Sequence, residues 1–345
     1  MAEDEGIQPR ELRQEGETMN LIEKLKRNAE RVDAYIMKLL EGEPPILYEA
    51  SRYLLKAGGK RLRPYLVLKS CELVGGDIEK ALPFAAAVEM LHNFTLIHDD
   101  IMDRDELRRG VPTVHVKYGL PLALASGDLL FAKVYEAMTQ VEGIPPERIL
   151  NCIRRATKAA IHICEGQILD VSYPKLSEVS EEDYYRMVGG KTASLFEACA
   201  EIGAIVGGAP ESEVELLRGY GYNAGVAFQL IDDILGITAD EKTLGKPVGS
   251  DLREGKKTLI IIHALKNASE EERRIIESVL GVEDASPEAI SRAIETIERL
   301  GSIDYARREA ERYVEEAKRR LRGFPECEAR RDLEELVEFF ISRTY

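Results

Sequence analysis

From Ile78 to Arg104 the sequence reads as one long helix that is apolar on most of its circumference and ends in a cluster of carboxylates. Ala85, Ala86, Ala87, Val88, Met90, Leu91, Phe94, Leu96 and Ile97 leave it little polar face, so it must be buried in the middle of a bundle. The segment closes on HNFTLIHDDIMDRDELRRG, with aspartates at Asp99, Asp100 and Asp103 and arginines at Arg108 and Arg109. Residues four apart on a helix point about 40° from each other and lie about 6 Å apart along the axis, which puts Asp99 and Asp103 on one face. Two carboxylates so placed repel unless a cation sits between them. Mg²⁺ suits the place, because it takes one or two carboxylates and completes its shell with water and substrate phosphate. A solvated acidic helix end is the other reading, and one DDxxD does not exclude it.

The remainder of the chain supplies helices to surround that one. Among 345 residues, aromatics are only 6% and Trp is absent, while Ala, Leu, Ile, Glu, Lys and Arg dominate, a mix that favours helix throughout. The length allows one large domain or two ordinary ones. A net charge of −15 excludes nucleic acid as a general partner, so an anionic substrate requires a local basic pocket or bound metal. Cys71, Cys152, Cys164, Cys199 and Cys327 lack CxxC spacing and read as reduced core thiols of a cytoplasmic protein. No run of 18 uncharged apolar residues occurs, so no integral membrane segment is expected.

Taken in order, residues 1–18 lack periodicity and form a loose polar extension, with Met19 an alternative start. Helical spacing runs from Leu21 to Leu40, then from Pro45 to Lys56. GGKRLRP (Gly58 to Pro64) opens the next helix with Lys60, Arg61 and Arg63, either an anion site at a helix start or a basic surface turn. Further helices are expected from Pro121 to Val141, from Pro145 to Val171, and after a Ser180 cap. GGKTASLF (Gly189 to Phe196) lacks the spacing of a phosphate loop and follows no strand, yet leaves Lys191 and Thr192 available to phosphate. A helix from Glu211 to Ile237 delivers FQLIDDILG, and a Gly-rich loop to Thr258 carries Lys246, Asp251, Lys256 and Lys257. The charged helical remainder reads as scaffold.

Two helices therefore carry paired aspartates, Asp99/Asp103 and Asp232/Asp233, amid cations at Gly-containing turns. That combination describes a site for diphosphates bridged by metal, beside an apolar helix able to accommodate a hydrocarbon tail. GGKRLRP, HDDIMDRDELRRG, GQILD, GGKTASLF and FQLIDDILG followed by GKPVGSD occur in the order found in the trans-isoprenyl diphosphate synthases, or polyprenyl synthetases. The chain resembles that family, and most of all its archaeal-type geranylgeranyl diphosphate synthases. The resemblance implies an all-α fold: one isoprenoid-synthase domain (residues 19–345), a helical bundle around a deep central cavity, usually homodimeric or a higher homo-oligomer. It implies Mg²⁺-dependent condensation of isopentenyl diphosphate with C5 to C15 allylic diphosphates, using several ions per site, with Mn²⁺ as a substitute.

By the same resemblance, Asp99, Asp103, Asp170 and Asp232 are metal ligands, with Asp233 and Asp251 behind them. Lys60, Arg63, His92 and Arg109 match the isopentenyl diphosphate site. Arg108, Lys191, Lys246 and Lys256 match the clamp on the allylic diphosphate. Thr192 and Gln229 fall where the family places polar groups near the reacting carbon, in a catalytic set with Lys191 and Lys246. Phe94, Thr95 and Leu91, just before the first motif, correspond to positions that limit chain length, and this pattern resembles C20 producers. One departure is plain: Gly236 stands where many relatives carry the last aspartate of the second motif. Farnesyl or mixed C15/C20/C25 products, a class I terpene cyclase and a non-catalytic regulatory subunit are the alternatives. A cyclase needs no isopentenyl site, and Lys60, Arg63 and Arg109 speak against it.

Overall fold

The computed structural model describes residues 20–238 and 249–342. Helix α4 (Ile78–Met102) lies where its composition requires, with most of its residues buried, from Ala81 to Asp100. It is walled by α3 (Leu62–Leu73), α6 (Leu120–Thr139) and α9 (Ser194–Gly207). The helix stops two residues short of Arg104, because Asp103 caps it and Arg104 turns left-handed at φ 59°. Before it come α1 (Leu21–Leu39) and α2 (Pro45–Lys56). Beyond it, Leu107–Arg108 (β1) and Val111–Pro112 (β2) pair as a two-residue hairpin that the sequence did not signal. Its turn has positive φ at both Arg109 and Gly110, the geometry that right-twisting hairpins prefer.

Short α5 (Val114–Tyr118) leads into α6, and α7 (Pro146–Ser172) packs along α9. Helix α8 (Glu181–Val188) begins with the expected Ser180 cap, whose hydroxyl and Asp183 exchange bonds with each other's backbone. It runs into a π-helical turn, Gly189–Ala193, before α9. Helix α10 (Glu211–Thr238) is apolar on two sides: Leu217, Tyr220 and Ala227 face one core, and Leu230, Ile231 and Ile234 face a second. That second core is closed by α11 (Ser250–Arg253), α12 (Leu259–Asn267), α13 (Glu270–Glu277), α14 (Pro287–Arg299) and α15 (Ser302–Leu321). The last helix, α16 (Glu328–Ile341), returns to the first core. There Asp332, 1% exposed, accepts Lys24 and Lys69, both at 2.7 Å, tying α1 and α3 to the chain's far end.

Where α7 crosses the π-helical turn, two glycines meet. A Cβ on Gly166 would lie 2.2 Å from the Lys191 backbone nitrogen, and one on Gly190 would lie 2.7 Å from the His162 carbonyl. Without side chains the two backbones touch, and Lys191 is delivered onto α7 one turn past Gly166. Of the cysteines, Cys71, Cys152 and Cys199 are buried as expected, but Cys327 is half-buried and Cys164 is exposed on the face of α7 that borders a cavity. Among the described residues, no helix is long and apolar enough to cross a membrane.

The crossing makes a direct prediction. Gly166→Ala should destabilise the fold by about 1–3 kcal/mol, the usual cost of overpacking, read as a lower urea midpoint at unchanged slope. A wild-type midpoint would contradict so close an approach.

Candidate active site

The acidic end of α4 splits its three aspartates between two tasks. Asp100, 1% exposed, turns back to receive the Arg108 guanidinium in a short ion pair. Burial raises its pKa to about 6, against the pull of Arg108. Asp99 points the other way, its Oδ1 buried and without a hydrogen-bond partner, 3.7 Å from the Lys191 ammonium. Asp103 sits one turn on, its pKa raised to about 6 by burial first and then by the charge of Asp99, with Lys191 and Lys256 acting against the rise.

Lys191 is the hinge between helices. Its Nζ lies 2.5 Å from Asp170 on α7 as well as 3.7 Å from Asp99 on α4. Burial disfavours the ammonium, yet the two carboxylates outweigh it and hold the pKa above its ordinary value. Thr192, next in the π-helical turn, donates to Gln229 Oε1 at 2.7 Å, and Gln229 Nε2 donates to Asp233 Oδ1 at 2.8 Å. Asp233 is held at about 7 by burial and by Asp251, despite bonds from Tyr184 and Gln229.

A basic wall faces the acids. Arg63 bonds His92 Nε2 at 3.2 Å and stacks on Phe196, 4.6 Å from the ring centre. Burial, then Arg63, Arg109, Arg108 and Arg61, push the His92 pKa well below normal, so the imidazole is neutral and serves as a hydrogen-bonding group. Arg109 is anchored through Nη1 to the carbonyls of Leu54 (3.1 Å) and Gly58, which offsets its left-handed backbone. Arg61, one of the cations at the GGKRLRP turn, is structural instead: it is 4% exposed and paired with Asp33 at 2.7 Å and Glu89 at 3.2 Å. Lys60 lies outside the cavity, exposed, with its ammonium 5.0 Å above the Phe339 ring.

A cavity of about 540 Å³ gathers most of these groups: Arg63, His92, Phe94, Thr95, Asp99, Arg108, Arg109, Lys191, Thr192, Gln229 and Asp232 all line it. A second hollow of about 450 Å³ shares Arg108, Lys191, Gln229 and Asp232 with the first and adds Asp170, Asp233, Asp251 and Lys256. Phe94 and Asp99 therefore belong to one cavity, a relation that five residues of helix left open. Phe94 packs on His98 at 4.8 Å and on Phe131 at 5.0 Å, an aromatic cluster at the cavity wall. Leu91, by contrast, is 1% exposed in the core and lines neither space. Lys246 lies outside the described residues.

Gly236 has a physical counterpart. A Cβ there would lie 2.5 Å from Asp251 Oδ2, so the Asp251 carboxylate fills the space beside the absent side chain. Lys256 faces Asp251 at 3.8 Å and Glu254 at 2.9 Å; burial opposes its charge, but these acids raise its pKa.

Several cavity residues carried no assigned role in the sequence. Gln167 is the clearest: 6% exposed, it lines the cavity with an amide nitrogen that has no hydrogen-bond partner. Its place in GQILD, three residues before Asp170, was the available signal. His98, Met102 and Cys164 also line the cavity, and only their helical phase relative to Asp99 or Gln167 could have marked them.

The donor set fits Mg²⁺ in a particular way. Asp99 Oδ1 is an orphaned buried acceptor, and Asp103 is crowded by like charge, both conditions that a cation relieves. Among the described residues no three His, Cys, Asp or Glu side chains converge as a ready-made cage. Such carboxylate walls suit an ion that takes much of its shell from water and phosphate.

The sequence model described as polyprenyl synthetase matches residues 44–297. A geranylgeranyl diphosphate synthase of Sulfolobus acidocaldarius is 47% identical over 287 residues, covering 83% of this chain and 87% of that protein. A geranylfarnesyl diphosphate synthase of Natronomonas pharaonis is 43% identical over 319 residues, covering 88% and 92%. The crystal structure of geranylgeranyl pyrophosphate synthetase from Pyrococcus horikoshii Ot3 superposes with a TM-score of 0.88 at 44% identity, covering 94% of this chain and 98% of that one. The chain belongs to the polyprenyl synthetase family.

Asp103 sets the sign of a pH effect. With its pKa raised to about 6, it binds a proton more readily than an ordinary aspartate, and that proton must leave before metal is bound. Mg²⁺ affinity in the presence of diphosphate should therefore hold near neutrality and fall below about pH 6, by up to about tenfold per pH unit. Calorimetry giving equal affinity on both sides of that pH would remove Asp103 from the site.

Proposed function

We propose that this chain is a Mg²⁺-dependent prenyltransferase that condenses isopentenyl diphosphate with allylic diphosphates to give an all-trans product, chiefly geranylgeranyl diphosphate (C20). The observation that carries this reading is one cavity bounded by Asp99 and Asp232 on one side and by Arg63, His92 and Arg109 on the other, with the apolar Phe94 floor within it. A cyclase would use the acids but has no call for the second basic wall. The Sulfolobus and Pyrococcus proteins named above support the C20 product. The Natronomonas relative keeps C25 open as a second reading.

Asp99, Asp103, Asp170 and Asp232 would hold Mg²⁺, which when bound stabilises charge on the departing diphosphate. Arg108 and Lys191, with Lys246 and Lys256, orient the allylic diphosphate and neutralise it as the C–O bond breaks. Arg63 and Arg109 fix the second diphosphate and neutral His92 adds a hydrogen bond, while Lys60, whose ammonium lies outside the cavity over Phe339, would join them only by turning inward. That presents the isopentenyl double bond to the allylic carbon. The new C–C bond leaves a tertiary cation, and loss of a proton to the released diphosphate restores the double bond. Gln229 Oε1 and the Thr192 hydroxyl face the developing positive charge.

Residues 19–345 act as one domain, a reading supported by the Lys24–Asp332 pair that joins its two ends. Leu120 and Leu124 on α6 and Ile161 and Ile168 on α7 are exposed, which favours a second copy of the chain against these neighbouring helices. Light scattering at the mass of one chain would remove the homodimer.

Chromatography of products from labelled isopentenyl diphosphate with C5, C10 and C15 primers tests the reaction. Condensation should require Mg²⁺ and stop chiefly at C20. Asp99→Ala and Asp232→Ala should each lower turnover by about two orders of magnitude or more with an unchanged far-UV CD spectrum. Phe94→Ala should lengthen the product. Near-full activity in either aspartate variant would dismiss the ligand assignment, and an unchanged product distribution would dismiss Phe94 as the floor.

A further inference from the structure

Tyr184 lies on α8, seven residues before Lys191, and its side chain is fully buried. Its phenol donates to Asp233 Oδ2 at 2.6 Å, a buried hydrogen bond that joins α8 to α10. The other oxygen of the same carboxylate accepts Gln229 Nε2 at 2.8 Å, and Gln229 Oε1 accepts the Thr192 hydroxyl at 2.7 Å. Thr192 follows α8 in the π-helical turn, so the path closes on itself: α8 to α10 through Tyr184 and Asp233, and back through Gln229 and Thr192.

The two ends of a glutamine amide have nearly the same shape and opposite polarity, so its hydrogen bonds decide which end faces the reactants. Here Asp233 Oδ1 accepts from the NH₂ end and Thr192 donates to the other, which leaves the carbonyl oxygen toward Thr192 and the cavity Gln229 lines. Asp233 itself needs both oxygens satisfied, because it is 7% exposed and a half-satisfied buried carboxylate is costly and free to rotate. We propose that Tyr184 is a positioning residue: by occupying Asp233 Oδ2 it locks the carboxylate in the rotamer that holds the Gln229 carbonyl toward the allylic carbon. The negative end of the amide dipole then stands ready where positive charge develops, with no reorientation during the step. The inference rests on the reaction proposed above, and adds to it a residue that lines neither cavity.

A double-mutant cycle tests it. Tyr184→Phe removes one oxygen and keeps the packed ring. It should lower kcat about tenfold while leaving the KM of both diphosphates within about twofold, since neither diphosphate is touched. In a Gln229→Met background the same change should have little further effect on kcat, because the group it positions is gone. If Tyr184→Phe melts well below the wild-type protein, Asp233→Asn serves instead: it retains the shape but offers one acceptor oxygen, and its effect should vanish in the same background. Equal factors in both backgrounds, or a change confined to KM or to thermal stability, would overturn the inference. A wild-type chain without condensation would instead overturn the proposed reaction, so the two failures are distinguishable.

Discussion

One ammonium held between two carboxylates organises the site. Lys191 reaches Asp170 at 2.5 Å and Asp99 at 3.7 Å, and so joins the π-helical turn, α7 and α4 at a single point. None of the three elements could bring its charge there alone: α4 needs its apolar circumference buried, α7 needs Gly166, and the turn needs Gly190. The cost of removing three charged groups from bulk water is offset only while each has its partner. The same arrangement keeps the acidic walls from repelling each other before any other cation arrives.

Around that point the electrostatics are divided by location. The chain carries a net charge of −15, yet Arg63, Arg108 and Arg109 converge on one cavity with a neutral imidazole among them. Each guanidinium is held by something of the protein's own: Arg63 by stacking on Phe196, Arg108 by Asp100, Arg109 by two carbonyls. An anion entering the cavity meets side chains already fixed in place, so less ordering entropy opposes binding. Phe94 lies in the same space, so charged and apolar walls share one cavity.

The sequence made much of this legible because the signals were local. The apolar run before Asp99, the capping residues at Ser180, and the paired acids on two helices each follow from side-chain periodicity or chemistry within a few residues. What remained hidden depends on contacts between distant segments. Nothing near Arg61 distinguishes it from Arg63, yet Asp33 and Glu89 make one structural while His92 and Phe196 bring the other to the cavity. The division of Asp99 from Asp100 depends on where the hairpin places Arg108. Tyr184 meets Asp233 across 49 positions, and Asp251 fills the space beside Gly236 by folding back onto it. The close approach of the π-helical turn to α7 likewise depends on Gly166, which GGKTA alone does not show.

Metal and diphosphate would have to bind jointly, since the carboxylate walls supply too few ligands for an ion by themselves and too much negative charge for a diphosphate by itself. Calorimetric titration of the protein with an unreactive allylic thiolodiphosphate, with Mg²⁺ and again with chelator, tests this most directly. Tight binding in the presence of Mg²⁺ and its loss with chelator is the predicted result. Equal affinity in both titrations would contradict the two-walled metal site.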